Sequence, residues 1–267
     1  MLGFNDLGNE GHLGNQMFQY ASLMGIAHNR NFDWAIAPRE SFGTRYKELR
    51  SSIYNCFKLP SAKNQKIIEG PVLREPTPYF NKDLFDNCPD NITVAGYLQD
   101  EQYFKNIKED ILKEFTFIDH IKDEAEKFLR EYKEAQKVSI HIRRTDYVDG
   151  PASGTRSCPT LDYYKQAMSL FENSIFFIFS DDLEWCKSQS IFTGDNVIFP
   201  GRDAYIDICI MSLCDHNIIA NSSYSWWASY LNKNPNKKVV APPARKWLDY
   251  RDASHMYLAD WIVLEQE

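Results

Sequence analysis

From Val138 to Ala241 the chain repeats one figure: a short apolar or alternating run, then a longer stretch with apolar positions three or four apart. The first pattern, with period two, marks a strand and the second, with a period near 3.6, marks a helix. Strands are expected at 138–143, 175–180, 196–199, 216–220 and 237–241, with helices at 160–171, 182–190, 203–214 and 223–233. Strands separated by helices cross over and pair in parallel, so this half reads as a Rossmann-like α/β domain. The first half is less regular. A helix is expected from Asn15 to His28 and strands at Phe32–Ile36 and Ile92–Leu98. Amphipathic helices are expected near Gln102–Phe115 and Asp119–Glu134, while Pro60–Phe80, broken by four prolines, reads as loop.

Polar residues with chemical potential fall at the carboxyl ends of these expected strands, where ligands bind in open α/β sheets. In VSIHIRRTDYV, Val138 to Val148, an alternating run ends in Arg143, Arg144 and Asp146, with His141 just upstream. Arg presents a planar fork of donors that suits phosphate oxygens two at a time, and a tandem pair suits a diphosphate. An Arg–Asp brace holding a loop would use the same residues. Ser180, Asp181 and Asp182 follow the second strand, Gly201 to Asp203 the third and Asn221 to Ser223 the fourth. The run Ser180 to Asp182 could take ribose hydroxyls or a metal, with capping of the next helix by Ser180 or Asp181 as the alternative.

Two glycine- or serine-rich helix starts add candidates. GHLGNQMFQYA, Gly11 to Ala21, brings backbone N–H groups to a helix end that favours anions, with Asn15 as an alternative helix cap. NSSYSWWASYL, Asn221 to Leu231, offers Ser222 and Ser223 to a phosphate, although capping is the commoner use of Ser. Trp226 and Trp227 read first as core anchors, with one of the adjacent pair available to a ligand.

Bulk properties exclude several classes. A hydrophobic fraction of 43% in 267 residues supports a substantial core. A net charge of −7 without a lysine-rich run argues against nucleic acid. The amino terminus has neither a basic nor an apolar signal region, and the most apolar short run, Ile175–Phe179, is too short for a membrane span. A cytoplasmic chain with reduced thiols is the expectation. Its six cysteines show no CxxC or Cys/His spacing, so no zinc or disulfide framework follows. No two aspartates stand two positions apart, so the Asp-x-Asp arrangement that holds a divalent ion beside a sugar nucleotide is missing.

GHLGNQMFQYA, IHIRRTDYV, FIFSDDLEW and NSSYSWWASYL together resemble the bacterial α-1,2-fucosyltransferases of glycosyltransferase family 11, in order through nearly the whole chain, and ADWIVL at 259–264 resembles that family's ending. The resemblance implies a GT-B-like fold, two Rossmann-like domains facing across a cleft. It implies inverting, metal-independent transfer of L-fucose from GDP-β-L-fucose to O2 of a terminal β-galactoside, with no cofactor. Carried over by position, His141 and Asp207 would contact guanine, Arg143 the β-phosphate, Ser222 and Ser223 the same diphosphate, and Asn15 the region of the transferred sugar. Arg144, Asp181 and Asp182 complete the expected donor site. Guanine offers N1–H and its 2-amino group side by side to one carboxylate, which uracil cannot do. Asp207 reads as too deep in its helix for an end-charge role. Arg143 and Asp146 are the expected catalytic residues, Asp146 as a base or as a partner of Arg144. His12 stands where the family has Gly or Arg, which leaves its role open.

The expected domains are 1–136, acceptor-side with the glycine loop; 137–245, GDP-fucose-binding; and 246–267, a tail packing back on the body. The partners expected are GDP-fucose and a glycan or lipid-linked oligosaccharide, with no nucleic acid and membrane contact only through the acceptor. Acceptor contacts are expected in the loops 41–52 and 150–157. Two alternatives stand beside this reading: a glycosyltransferase using another GDP-sugar such as GDP-mannose, and a non-catalytic sugar- or RNA-binding module reading its ligand through the Trp and Arg pairs.

Overall fold

Each half of the chain builds its own parallel sheet. The computed structural model describes residues 1–41, 52–148, 157–244, 247 and 252–265, and the chain divides into two units, Met1–Ile118 and Asp119–Glu267. Most of both expected acceptor loops lies outside the described residues, as does Asp149, which with Asp146 is the carboxylate nearest the Arg pair in sequence.

The first unit contains, in order, β1 (Leu2–Phe4), α1 (Leu13–Arg30), β2 (Trp34–Ile36), α2 (Ile53–Cys56), β3 (Val72–Arg74), α3 (Lys82–Asn87), β4 (Ile92–Ala95) and α4 (Lys108–Glu114). Its strands pair in parallel in the order β2-β1-β4-β3. Helix α1 is buried from Gln16 to Ala27, polar residues included. Those residues are bonded: Gln16 Oε1 accepts from Ile53 N at 3.2 Å, Gln19 Nε2 donates to Gly96 O at 3.1 Å, and Ser22 Oγ donates to Leu98 O at 2.9 Å. A buried helix can carry amides and hydroxyls when each satisfies a neighbouring loop.

Two expectations for this unit change. The stretch 60–80 is not all loop, because Val72–Arg74 joins the sheet as its edge strand β3. All three of its residues are exposed, so it carries no alternation to read, and Pro71 and Pro76 flank it at positions that an edge tolerates. The helix expected at 102–115 is instead two tight turns, Glu101–Tyr103 and Lys105–Ile107, followed by α4.

The second unit starts with α5 (Asp119–Leu129) and continues β5 (Gln136–Ile142), α6 (Thr145–Val148), α7 (Leu161–Met168), β6 (Ser174–Ser180), α8 (Leu183–Ser188), β7 (Val197–Ile198), α9 (Ala204–Leu213), β8 (His216–Ile218), α10 (Ser223–Leu231), β9 (Val239–Ala241) and β10 (Ile262–Val263). All nine elements expected between 138 and 241 are present; β5 and β6 begin earlier than expected and the other ends are trimmed by up to three residues. The sheet order β10-β9-β8-β5-β6-β7 is that of the dinucleotide-binding Rossmann sheet. The division falls upstream of the expected boundary at 136 because α5 belongs to this unit. It buries Ile121, Ala125 and Leu129, and Phe128 meets Phe177 of β6 edge-on at 5.6 Å. The tail also enters the sheet, with Ile262 opposite Val240 and Val263 opposite Ala241. Behind β8, buried Asn217 donates to Ser139 Oγ at 2.7 Å and to Met211 O at 2.8 Å, and Asn232 donates to Asn217 Oδ1 at 2.8 Å.

Among the described residues no helix is long and apolar enough to cross a membrane. The six cysteines are free.

Gly25 lets α1 approach the turn at Glu101–Tyr103, since a Cβ there would lie 1.8 Å from the Tyr103 carbonyl oxygen. Backbone cannot yield as a flexible side chain does. Gly25→Ala is therefore expected to destabilise the protein by about 3 kcal/mol, the upper part of the usual overpacking range. Urea denaturation checks this, and an unchanged midpoint would mean that α1 is not seated on that turn.

Candidate functional site

The second sheet reverses direction between β5 and β8, because the chain leaves β5 toward β6 and leaves β8 toward β9. Such a switch point opens a crevice outside the carboxyl ends of the two strands. Arg143 and Arg144 follow β5, and Asn221 to Ser223 follow β8. Tyr147 spans the two segments, its hydroxyl donating to Asn221 O at 2.8 Å.

The arginines are held by carboxylates from the neighbouring strand end. Parallel register sets Ile142 opposite Ser180, so the residues that follow confront one another. Arg143 Nε donates to Asp146 Oδ1 at 2.7 Å and its Nη1 lies 3.2 Å from Asp181 Oδ2. Asp181 also accepts from the backbone N–H of Arg144 at 2.9 Å and from the hydroxyl of Thr145 at 2.6 Å. Arg144 Nε donates to Asp182 Oδ2 at 3.1 Å, and its guanidinium sits 3.7 Å from the centre of the Trp185 ring. Burial works against the charge on Asp181, but Arg143, the Thr145 hydroxyl and the Arg144 N–H outweigh it and hold the carboxyl below its ordinary value. Arg143 is thus held by two carboxylates and keeps Nη2 without a protein partner among the described residues, whereas Arg144 is held by one carboxylate and the Trp185 ring. Asp146 pairs with Arg143, not with Arg144. Asp182 rather than Ser180 or Asp181 caps α8, accepting from Trp185 N at 3.2 Å.

His141 is buried, with Nδ1 lacking a partner. Burial first, then the Arg143 charge, keeps its imidazole well below the ordinary value despite Asp181. It is neutral at pH 7. Its ring centre lies 5.3 Å from that of Tyr224, whose hydroxyl donates to Ala204 O at the start of α9. One turn into α9 is Asp207, with Oδ1 sealed from solvent and without a partner. Burial, with repulsion from Asp203, pushes its carboxyl up to about 7 against the backbone N–H of Arg202. The depth argument from sequence does not hold, because α9 starts at Ala204 and Asp207 lies in its first turn. The helix end is served by Asp203, which accepts from Tyr205 N and Ile206 N. Ser222 occupies the cap position of α10 but makes no side-chain cap bond, so its hydroxyl is not spent on capping. Ser223 begins that helix. Trp226 and Trp227 are both buried in the core, and neither offers a face to ligand.

In the first unit, Asn15 is not a helix cap. Helix α1 begins two residues earlier, with His12 in the cap position and no side-chain cap bond. The Asn15 side chain accepts from Gln99 Nε2 at 2.7 Å. Gly11, at φ +82°, leaves room for it, since a Cβ there would lie 2.3 Å from Asn15 Nδ2. Sequence reasoning missed Thr145, Trp185 and Tyr224, which stood inside the recognised motifs, and Glu75, which no motif marks. Among the described residues no cluster of His, Cys, Asp and Glu could hold a metal ion.

Comparison with known proteins identifies the kind of molecule that carries this arrangement. The model for glycosyl transferase family 11 matches residues 2–265. An α-1,2-colitosyltransferase of Escherichia coli is 31% identical over 261 residues, 87% of this chain and 89% of that protein. A galactoside α-(1,2)-fucosyltransferase 1 of Leontopithecus chrysomelas is 25% identical over 284 residues, 97% of this chain and 74% of that protein. The solved structure of POFUT1 in complex with GDP has a TM-score of 0.56 at 11% identity, covering 90% of this chain and 97% of that one. That likeness is one of fold.

The shift at Asp207 fixes a sign for the pH dependence of stability. A carboxyl raised to about 7 from an ordinary 3.8 contributes stability that is complete below the ordinary value and is lost as pH rises through 7. Asp207→Asn should therefore flatten the curve of Tm against pH between those two values and leave the variant relatively more stable above them. The slope is reduced and not abolished, because Glu75 carries a similar shift. Parallel curves for the two proteins would show that Asp207 is not desolvated.

Proposed function

The chain belongs to glycosyl transferase family 11, and from that premise we propose that it transfers L-fucose from GDP-β-L-fucose, with inversion and without a metal ion, to O2 of a terminal β-galactoside. The observation that carries this reading is Arg143, which stands at the switch point of a dinucleotide-type sheet with one guanidinium nitrogen uncommitted. In the proposed complex that nitrogen meets the β-phosphate. The start of α10, with the Ser222 and Ser223 hydroxyls, supplies further donors at a helix end that favours anions. Asp207 Oδ1, left without a partner, accepts from the guanine edge, and neutral His141 offers a ring nitrogen to the same base. Asn15 serves the transferred sugar.

Fucose leaves GDP as the glycosidic C–O bond lengthens, and negative charge grows on the diphosphate. Fixed donors aimed at that charge act more strongly in the transition state than on bound donor, so they raise kcat. Arg143 takes this role. Asp146 and Asp181 hold its guanidinium from two sides and set its orientation.

A second donor is favoured by one finding, the relative named for colitose transfer. Colitose is fucose without its 3-hydroxyl, so the same nucleotide contacts would serve both. Competition between GDP-fucose, GDP-colitose and GDP-mannose, read by the sugar found on a β-galactoside, separates them.

Incubation with GDP-fucose and a panel of β-galactosides in excess EDTA is expected to give an α-1,2-fucoside at the rate found without chelator. Loss of transfer restored by Mg²⁺ or Mn²⁺ would sink the metal-independent reading. Arg143→Lys keeps the charge but removes the fork, so kcat should fall by roughly 10²-fold or more. A folded variant with near-native kcat would reduce the Arg pair to a loop brace.

A further inference from the structure

A concave site in the first unit involves none of the residues assigned a role above. It is a pocket of about 340 Å³ where the end of α1, the start of β2, the turn at 61–64 and the start of α4 meet. Small-molecule sites commonly measure about 300–1,000 Å³. The glycine loop at 11–15 follows β1 and opens α1, whereas this pocket follows α1 and precedes β2, so the two lie at opposite ends of the first sheet.

Its walls are tied together by hydrogen bonds. Asn31, at φ 53°, ends α1: its N–H donates to His28 O at 3.1 Å, and Phe32 N donates to Ala27 O at 2.9 Å. The chain then enters β2, where Asp33 O accepts from Leu2 N at 2.7 Å. Asn64 Nδ2 donates to Trp34 O at 3.2 Å and straps the turn at 61–64 to that strand. Behind the turn the buried Glu114 side chain accepts from Ser61 N at 3.1 Å and from the Tyr20 hydroxyl at 2.6 Å. Tyr20 in turn meets the Trp34 ring edge-on at 5.4 Å. A buried acid needs such partners, and here they fix one wall of the pocket. The site is pre-formed.

The lining is mixed in a way that narrows the ligand. Trp34, Phe32, Met24 and Ile107 are its apolar part, and no Lys or Arg lines it, which disfavours an anion. The side chains of His28, Asn31 and Asp33 are exposed and make no hydrogen bond among the described residues. Asn64 and Asp110 complete the polar part, with Asp110 Oδ1 also 2.8 Å from Lys113 Nζ. Amide and imidazole N–H groups donate, whereas the two carboxylates only accept. A phosphate needs donors alone and an ammonium group needs acceptors alone. A sugar hydroxyl uses both, and the C–H face of a pyranose ring packs on an indole. We propose that this pocket binds a neutral saccharide, as a second site separate from the transfer reaction.

Saturation-transfer NMR of the full chain with methyl β-galactoside, methyl α-fucoside and lactose tests this, and it needs no GDP-sugar and no turnover. At least one of the three is expected to bind the wild-type protein. Asp33→Ala should raise its Kd by roughly tenfold or more, the scale of one hydrogen bond to a charged group. The Asp33 side chain is exposed, so Tm should not change. Asn31→Gly keeps the left-handed helix end while removing the amide, and it should weaken binding as well. A Kd unchanged in the folded variants would place the sugar at another site and overturn the proposal. Failure of all three sugars to bind would overturn it too, as would tighter binding of tetramethylammonium or inorganic phosphate at these residues.

Discussion

Adjacent arginines at a strand end repel each other, and in the second unit the loop of the neighbouring strand answers that repulsion. The parallel register of β5 on β6 brings Arg143 and Arg144 against Asp181 and Asp182, and Asp146 joins from the turn that follows. Opposite charges about 4 Å apart gain about 4 kcal/mol at an effective dielectric near 20, enough to hold a geometry but not to lock it. Two guanidinium groups thus face three carboxylates, a local balance of one negative charge. An incoming diphosphate does not meet open cations. It competes for them, with Asp146 and Asp181 at Arg143 and with Asp182 at Arg144, whose guanidinium also lies over the Trp185 indole.

The two units keep unsatisfied acceptors by different means. In the second unit burial does it: His141 lies within the sheet and Asp207 in an apolar helix. In the first unit a glycine does it, since Gly96 adopts a φ value that lets Glu75 sit where a Cβ would stand. A buried polar atom without a partner costs about 1–3 kcal/mol. A fold tolerates that cost where a bound ligand supplies the missing bond.

The second sheet was legible because its central strands are buried on both faces and its helices have periodic apolar positions, so each element carried its own signal. The same logic explains what was hidden. Edge strand β3 exposes all its residues, and β10 is two residues long, so neither has a pattern to read. The Arg–Asp neighbourhood could be located from strand ends, but the partner of each charge depends on the turn after β5, which puts Asp146 on Arg143, and on the β5–β6 register, which brings Asp181 to Arg143 and Asp182 to Arg144. The start of α1 was misjudged because Leu13 and Gly14 are already buried helix, which moves Asn15 inside the first turn. Glu75 had no signal in sequence. Its distinction comes from Gly96, whose residue type says nothing about a carboxylate twenty-one positions earlier (96 − 75).

Residue type alone does not assign a role to these acids; their donors do. Asp181 is surrounded by N–H, O–H and guanidinium groups, and its proton is lost easily. Glu75 and Asp207 have fewer donors and more apolar surroundings, and both hold their protons up to about 7. Desolvation and hydrogen bonding thus push carboxyl groups in opposite directions within one chain. An acid saturated with internal donors has no oxygen left for a ligand and acts as a brace. An acid with a sealed, unbonded oxygen is completed only by a donor from outside, and its charge then becomes favourable at the moment that donor arrives.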